Sequence, residues 1–255
     1  MKIIAIIQAR TGSSRLPQKV LRRIDGERTL LDCVIDNVQA LGILTVVSTT
    51  DRSSDDPLAE LCERRNISVA RGPQENVLER YIHTLDRFPC DACLRVCGDN
   101  PFLDTQLAAN LLRRHKQDDV DYTGYLTLSG RPAICLPAGL FAECVSSSAL
   151  RRLHDSNPPI DIAEHVTLGV YSDSNYSCAW ETAPAWATQD WLRLTCDTTG
   201  DLTRLRRIYA ERETGTDLRD LLQRIQSQAW LKNEMLKENK QNLKPNIIIS
   251  TARYA

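Results

Sequence analysis

The chain has 255 residues, of which 42% are hydrophobic, and its formal net charge is -1 at pH 7. These values allow one large α/β domain, and they exclude a general electrostatic attraction to nucleic acid or to an anionic membrane. No apolar run approaches the roughly 20 residues of a membrane helix, and Met1 and Lys2 lead directly into a strand pattern rather than a secretion signal. We therefore expect a cytoplasmic protein that binds neither nucleic acid nor membrane.

Short β-branched runs alternate with amphipathic segments through the first half of the chain. The predicted strands are KIIAIIQ (2–8), ILTVVST (43–49), ISVA (67–70), ACLRVCG (92–98) and VDYTGYL (120–126). Helical periodicity predicts helices at about 30–41, 55–65, 74–88 and 104–115. Strands and helices at this spacing require right-handed crossovers. The sequence therefore predicts an α/β fold, with a mostly parallel, Rossmann-like sheet covered by helices on both faces.

The second half of the chain is less regular. Its periodicity is hard to interpret between 130 and 185, a stretch that contains five prolines. We expect the region from about 125 to 190 to be an irregular insertion that covers one end of the sheet and shapes a second ligand pocket.

The last predicted elements are a returning buried strand and two helices, at WLRLTCDT (191–198), near 202–212 and near 217–228. We expect them to complete a single domain over 1–230. The remaining residues, 231–255, are predicted to form a polar tail, in which 232–245 would be a solvated linker or a frayed helix and NIIIST (246–251) could add an edge strand.

The loop after the first strand, QARTGSSRLPQKVL (8–21), is the most informative stretch for function. It contains three small residues that let backbone N–H groups approach an anion, Gly12, Ser13 and Ser14. It also contains three cations, Arg10, Arg15 and Lys19. The loop matches neither the G-x-x-x-x-G-K-[ST] nor the G-x-G-x-x-G pattern. An ordinary polar connection with solvated arginines is the simpler alternative, but the position directly after the first strand favours a phosphate-binding loop.

Five blocks of the sequence resemble one protein family. They are IIQARTGSSRLPQKVL (6–21), RGPQENVLERY (71–81), VCGDNPFLD (96–104), EHVT (164–167) and LRLTCDTTGDLTRLR (192–206). In this order they resemble the cytidylyltransferases that make CMP-activated acidic sugars, and most closely the branch named after spore coat polysaccharide biosynthesis protein F. The resemblance implies the nucleotide-diphospho-sugar transferase type of fold, CTP and a small acidic acceptor as substrates, Mg²⁺ as cofactor, and a homodimer formed through the irregular second half.

The resemblance also implies roles for individual residues. The nucleotide would be held by Gln8, Ala9, Arg10, Gly12, Ser13, Ser14, Arg15, Lys19, Arg71, Gly72, Asn76 and Asp99. Asp99 and Asp197 would carry the metal, and with Arg10, Arg15 and Lys19 they form the expected catalytic set. The residue types alone leave alternatives open, because Asp99 could cap a turn or helix, Asp197 could be a helix N-cap, and Asn76 could simply start a helix.

The acceptor side carries a weaker pattern. We expect Arg131, Glu143 and His165 to contact the acceptor, although a structural role for His165 fits equally well. GLFAECV (139–145) aligns with the family pattern GLDVEVF, in which an aspartate stands where this chain has Phe141. This departure favours an acceptor that is smaller, more apolar or differently charged.

The predicted reaction is attack of an acceptor oxygen on the α-phosphate of CTP, with pyrophosphate as the leaving group. Three alternatives stay open. The first is nucleotidyl transfer from CTP or another NTP to a phosphonate or to a polyol or sugar phosphate. The second is a nucleotide-sugar-dependent glycosyltransferase, although GDNP (98–101) lacks the usual Asp-x-Asp pair. The third is a nucleotide-binding protein without turnover.

Overall fold

The computed structural model describes residues 1–212 and 217–241. Its strands are β1 (Ile3–Gln8), β2 (Arg23–Asp25), β3 (Arg28–Thr29), β4 (Thr45–Thr50), β5 (Ser68–Gly72), β6 (Ala92–Cys97), β7 (Tyr122–Leu126), β8 (Glu143–Ser146) and β9 (Cys178–Thr182). Seven of them form one sheet in the order β5-β4-β1-β6-β8-β7-β9, and β2 and β3 form a separate hairpin. Only β8 runs antiparallel to its neighbours in the large sheet. The predicted mostly parallel sheet is confirmed.

Helices cover both faces of this sheet. They are α1 (Leu30–Gln39), α2 (Asp56–Arg64), α3 (Val77–Arg87), α4 (Thr105–Asp118), α5 (Ser147–Asp155), α6 (Ile160–His165), α7 (Leu168–Ser172), α8 (Thr199–Ala210), α9 (Leu218–Ser227) and α10 (Ala229–Gln241). Alternate residues of β1 enter two different cores, with Ile4 and Ile6 facing α3 and α5 to α7, and Ala5 facing the other helices. Burial on both faces explains why β1 is a continuous apolar run. No helix among the described residues has the length and apolar character needed to cross a membrane.

The strand predicted at 191–198 does not form. Leu192, Leu194 and Cys196 are buried as the alternating pattern indicated, but the backbone bonds to loops instead of a strand. The Leu194 N–H donates to the Pro137 carbonyl at 3.1 Å, and the Cys196 N–H donates to the Asp99 carbonyl at 3.0 Å. An extended segment that packs on loops has the same apolar alternation as a strand, so periodicity could not separate the two.

The segment expected to begin the polar tail is helical. Residues 231–241 form most of α10, which agrees with the helix alternative, but Leu231 and Met235 are buried in the main core and not solvated. The predicted edge strand at 246–251 lies outside the described residues.

Candidate active site

A cleft of about 540 Å³ lies at the carboxyl ends of β1 and β6. Ten of its lining residues are among those proposed from the sequence: Gln8, Ala9, Arg10, Gly12, Ser13, Ser14, Arg15, Lys19, Asp99 and Asp197. The other six lining residues were not among the predicted site residues: Val20, Gln74, Glu75, Cys97, Gly98 and Glu164. The position agrees with the general rule that parallel α/β sheets bind ligands beyond the carboxyl ends of their strands.

One lysine joins the two aspartates that the sequence predicted as metal ligands. The Lys19 Nζ donates to Asp99 Oδ2 at 2.8 Å and to Asp197 Oδ1 at 2.9 Å, although Lys19 and Asp197 are 178 positions apart. The Lys19 side chain is only 14% exposed. Burial alone would lower the pKa of Lys19, but the two carboxylates outweigh burial and raise the pKa above its ordinary value. Lys19 therefore carries its positive charge throughout the neutral range.

Asp197 can face the cleft because its neighbours perform the helix-capping role. The Thr198 side chain is the N-cap of α8 and forms a capping box with Asp201. The Arg193 guanidinium binds Asp201 through two hydrogen bonds of 2.7 and 2.8 Å, and Asp201 also accepts from the Asp197 N–H at 3.0 Å. The buried Arg193–Asp201 pair thus fixes the backbone beside Asp197, and Asp197 Oδ1 also lies 3.3 Å from Arg15.

The two aspartates fit Mg²⁺ in their donor chemistry. Mg²⁺ prefers oxygen ligands, and it is usually held by one or two carboxylates together with substrate phosphates and water. Asp99 and Asp197 already share one cationic partner, so their oxygens are close enough to act on the same charge. No larger cluster of three or more His, Cys, Asp or Glu side chains suited to a metal occurs among residues 1–212 and 217–241.

The loop between β1 and Lys19 is tightly closed. The Thr11 carbonyl accepts hydrogen bonds from the Ser13 N–H at 2.8 Å and the Gln18 N–H at 2.9 Å. Gln18 has a positive φ of 55°, which turns the chain toward Lys19. Gly98 closes the opposite wall, where an added Cβ would lie 2.8 Å from the Gln8 carbonyl oxygen. The two strand ends can therefore approach this closely only with glycine at 98.

Three of the residues predicted to bind the nucleotide, Arg71, Gly72 and Asn76, do not line the cleft. Arg71 forms an ion pair with Asp56 at 2.7 Å and borders a different cavity on the outer face of β5. Gly72 packs against α3, where an added Cβ would lie 3.1 Å from the Arg80 Cα. Asn76 is the N-cap of α3 and accepts from the Glu79 N–H at 3.0 Å. Asn76 therefore starts helix α3, which was the alternative role predicted for it.

The loop before Asn76 contributes to the cleft instead. Gln74 and Glu75 line it, and the Gln74 carbonyl lies 3.4 Å from guanidinium nitrogens of both Arg10 and Arg80. Arg80 is fully buried behind this loop and also donates to the Pro73 carbonyl at 2.8 Å. Position within RGPQEN did not reveal which side chains turn inward.

None of the three predicted acceptor residues, Arg131, Glu143 and His165, lines the cleft. Glu143 is fully buried, and its carboxylate accepts from Arg95 at 2.5 Å, Tyr122 at 2.6 Å and Thr167 at 2.9 Å. The Arg131 guanidinium donates to the Cys135 carbonyl at 3.1 Å. The structure therefore places Glu143 inside the fold rather than at the cleft surface.

Other side chains in this half also differ from expectation. Phe141 is buried in the main core, where its ring is tilted against that of Tyr125 at 5.5 Å between centroids, and it does not line the cleft. His165 lies on the exposed side of α6, outside the cleft lining. Its neighbour Glu164 does line the cleft. The EHVT block contained this residue, so the sequence pattern identified the right segment but not the right side chain.

Residues 4–183 match a protein family described as Cytidylyltransferase. The chain belongs to this family. It is 32% identical over 215 residues to spore coat polysaccharide biosynthesis protein SpsF of Bacillus subtilis (strain 168), which covers 81% of this chain and 86% of SpsF. It is 27% identical over 182 residues to 3-deoxy-manno-octulosonate cytidylyltransferase of Koribacter versatilis (strain Ellin345), which covers 68% of each protein.

The fold agrees with this assignment. A cytidylyltransferase structure from Leptospira borgpetersenii serovar Hardjo-bovis (strain JB197) superposes with a TM-score of 0.80 at 23% identity, covering 91% of this chain and 96% of that one. The predicted family, enzyme class and fold are therefore confirmed. This chain is a cytidylyltransferase, and its cleft combines cationic side chains with carboxylates as nucleotidyl transfer requires.

Proposed function

We propose that this cytidylyltransferase transfers CMP from CTP to an acidic sugar or a related small acceptor, in the presence of Mg²⁺, and releases pyrophosphate. One observation carries the proposal. The Lys19 ammonium contacts both Asp99 and Asp197 in a cleft whose wall is the glycine- and serine-containing loop. The cluster assembles cation and carboxylates from three distant segments, which an ordinary polar connection would not require.

We assign different roles to the cationic and the anionic side chains of the cleft. Arg10, Arg15 and Lys19 would neutralise the triphosphate and the departing pyrophosphate. Asp99 and Asp197 would hold Mg²⁺, and the bound ion would add charge neutralisation on the phosphate oxygens. Because Lys19 is mostly shielded from solvent, water would screen its attraction to the phosphate oxygens less than it would for an exposed cation.

The acceptor proposal draws on the relatives and on Glu164. SpsF is named for spore coat polysaccharide biosynthesis, and the Koribacter relative is named for a sugar acid, so we propose a sugar-derived acceptor and a role in polysaccharide biosynthesis. A hydroxyl acceptor must lose a proton during attack, which a nearby carboxylate can accept. Asp99 and Asp197 are both engaged with Lys19, whereas Glu164 lines the same cleft on the side of the irregular insertion. We assign the orientation of the acceptor hydroxyl to Glu164.

The experiment is pyrophosphate release by the purified full chain, with Mg²⁺, each of the four common NTPs, and panels of sugar acids, sugar phosphates, polyol phosphates and small phosphonates. We expect release with CTP and a sugar acid. Release only with a phosphate or phosphonate acceptor, or with another NTP, would replace the substrate assignment. CTP binding without release from any pair would favour a binding role, and release of CMP from a CMP-sugar would favour a glycosyltransferase.

We also propose a cytoplasmic homodimer in which the region from about 125 to 190 supplies the contacts. Leu128, at the turn after β7, is 88% exposed, and Ile160 at the start of α6 is 61% exposed. Apolar side chains this exposed in one region are common at subunit contacts. Light scattering should give twice the mass of the chain, and Leu128→Asp should shift it toward a monomer. A monomer mass for the unaltered chain would refute the dimer.

A further inference from the structure

A buried carboxylate lies directly behind the loop that lines the cleft. Asp55 precedes α2, and only 1% of its surface is exposed. Its Oδ1 accepts from the Thr11 N–H at 2.8 Å and from the Thr11 hydroxyl. Its Oδ2 accepts from the Thr49 hydroxyl at 3.0 Å, the Thr50 N–H at 3.2 Å and the Thr50 hydroxyl. All five hydrogen bonds end on two oxygens, which uses the full accepting capacity of a carboxylate.

Thr11 connects this carboxylate to the rest of the loop. Its N–H and hydroxyl bind Asp55, while its carbonyl accepts from Ser13 and Gln18. Gln18 is followed directly by Lys19, whose ammonium binds Asp99 and Asp197. The loop is therefore held at its start by a buried anion and at its end by the cluster at the base of the cleft.

Packing alone does not explain why a charged residue, Asp55, occupies this buried position. A buried anion close to a triphosphate site opposes phosphate binding by Coulomb repulsion, and burying a charge is itself unfavourable. A neutral residue would fill the same volume without either cost. Hydrogen bonds to a charged acceptor are stronger than neutral ones, so a carboxylate fixes the Thr11 backbone more firmly than an amide would.

We infer that Asp55 is a positioning residue that holds the loop from 10 to 19 in its phosphate-receiving conformation before CTP binds. The inference rests on the proposed binding of the triphosphate by this loop. Asp55 is not among the residues that line the cleft. It acts through Thr11, and it makes the loop rigid in advance so that less ordering is required when the nucleotide arrives.

The test compares two adjacent aspartates in the full chain. Asp55→Asn keeps the size of the side chain but replaces one accepting oxygen by an NH₂ group. Asp56→Asn is the matched control, because Asp56 is half-exposed and borders the outer cavity. For each protein, calorimetric titration measures the affinity for CTP, inorganic tripolyphosphate and cytidine, and thermal unfolding gives Tm. All titrations are run well below the lowest Tm of the set.

We expect Asp55→Asn to weaken tripolyphosphate and CTP binding by about tenfold and to leave cytidine binding unchanged. Asp56→Asn should match the unaltered protein with all three ligands. Unchanged affinity of Asp55→Asn for CTP and tripolyphosphate, with only a lower Tm, would overturn the inference. So would an equal loss of affinity for cytidine, because a loop-positioning role predicts a phosphate-specific effect.

Two substitutions of Thr11 test the positioning role of Asp55 independently, including the case in which Asp55→Asn does not fold. Thr11→Ser keeps both donors to Asp55 and should bind tripolyphosphate as the unaltered protein does. Thr11→Val removes only the hydroxyl and should weaken binding, and equal affinities of these two variants would contradict the inference. Failure of the unaltered protein to bind CTP and tripolyphosphate would instead refute the proposed function, on which the inference depends.

Discussion

The two sides of the cleft are built in different ways. The nucleotide side consists of loops at the ends of parallel strands, and buried charges behind or within these loops connect to the cleft through one or two residues, as Asp55 does through Thr11. The side on which we propose that the acceptor binds contains short helices and β8, the strand of opposite direction. Its buried carboxylate, Glu143, binds Arg95 of β6, Tyr122 of β7 and Thr167, and it does not line the cleft.

The two sides also differ in what holds their cleft residues in place. On the nucleotide side, Lys19 meets Asp99 at 2.8 Å and Asp197 at 2.9 Å from distant parts of the chain, so these residues depend on one another. On the acceptor side, Glu164 lies on the six-residue helix α6, which is followed by Val166 at a positive φ of 59°. A β-branched residue in that conformation is strained, and such strain persists only where the surroundings hold it. The end of α6 beside Glu164 is therefore held by its surroundings and not by local backbone preference.

The largest expected effect tests whether Glu143 is structural. Glu143→Gln leaves the buried Arg95 guanidinium without its charged partner and should lower the free energy of unfolding by about 3–5 kcal/mol. Replacing both, with Arg95→Met and Glu143→Gln, should restore part of that loss, because the unpaired buried cation is removed and the amide oxygen can still accept from a hydroxyl of Tyr122 or Thr167. Urea unfolding of the single and double variants measures both values. Unaltered stability of Glu143→Gln, together with a raised KM for the acceptor, would show that Glu143 contacts the acceptor after all.

The next effect compares two cations of the same loop. Lys19 is 14% exposed and contacts two carboxylates, whereas Arg15 is 51% exposed. Lys19→Ala should lower kcat/KM for CTP by about 10²-fold, and Arg15→Ala by roughly fivefold or less, because solvent screens its charge. Steady-state kinetics at saturating Mg²⁺ gives both ratios. Equal losses would mean that burial does not distinguish the two cations.

The smallest effect concerns acid stability. Burial alone would raise the pKa of Asp55, but hydrogen bonds from Thr11, Thr50 and Thr49 outweigh burial and hold the pKa below its ordinary value of 3.8. The stabilisation from this carboxylate is therefore present above pH 4 and is lost as the pH falls through the lower, folded-state pKa. Asp55→Asn should cost about 1–3 kcal/mol at pH 7 and less near pH 3. A constant difference in unfolding free energy across that range would contradict this assignment.

The sequence predicted the nucleotide side far better than the acceptor side, for physical reasons. Cations and small residues directly after a buried strand identify a ligand edge, because parallel strands end together. Asp99 and Asp197 were found through the family resemblance. An aspartate at either position could equally cap a helix or turn, so the residue type alone did not identify a cleft carboxylate. The burial of Glu143 depends on Arg95 from a neighbouring strand, and that pairing has no signal in a single sequence. The roles of Gln74 and Glu75 depend on how one loop turns, which periodicity does not describe.

The most direct test of the central claim is pyrophosphate release from CTP, Mg²⁺ and the active acceptor by Asp99→Asn and Asp197→Asn. The matched control is Asp190→Asn, at an exposed position outside the cleft. We predict that both cleft variants fold normally and lose about 10²- to 10³-fold in turnover, while the control keeps full activity. Full turnover by either cleft variant would contradict the assignment of the Asp99–Lys19–Asp197 cluster as the centre of nucleotidyl transfer.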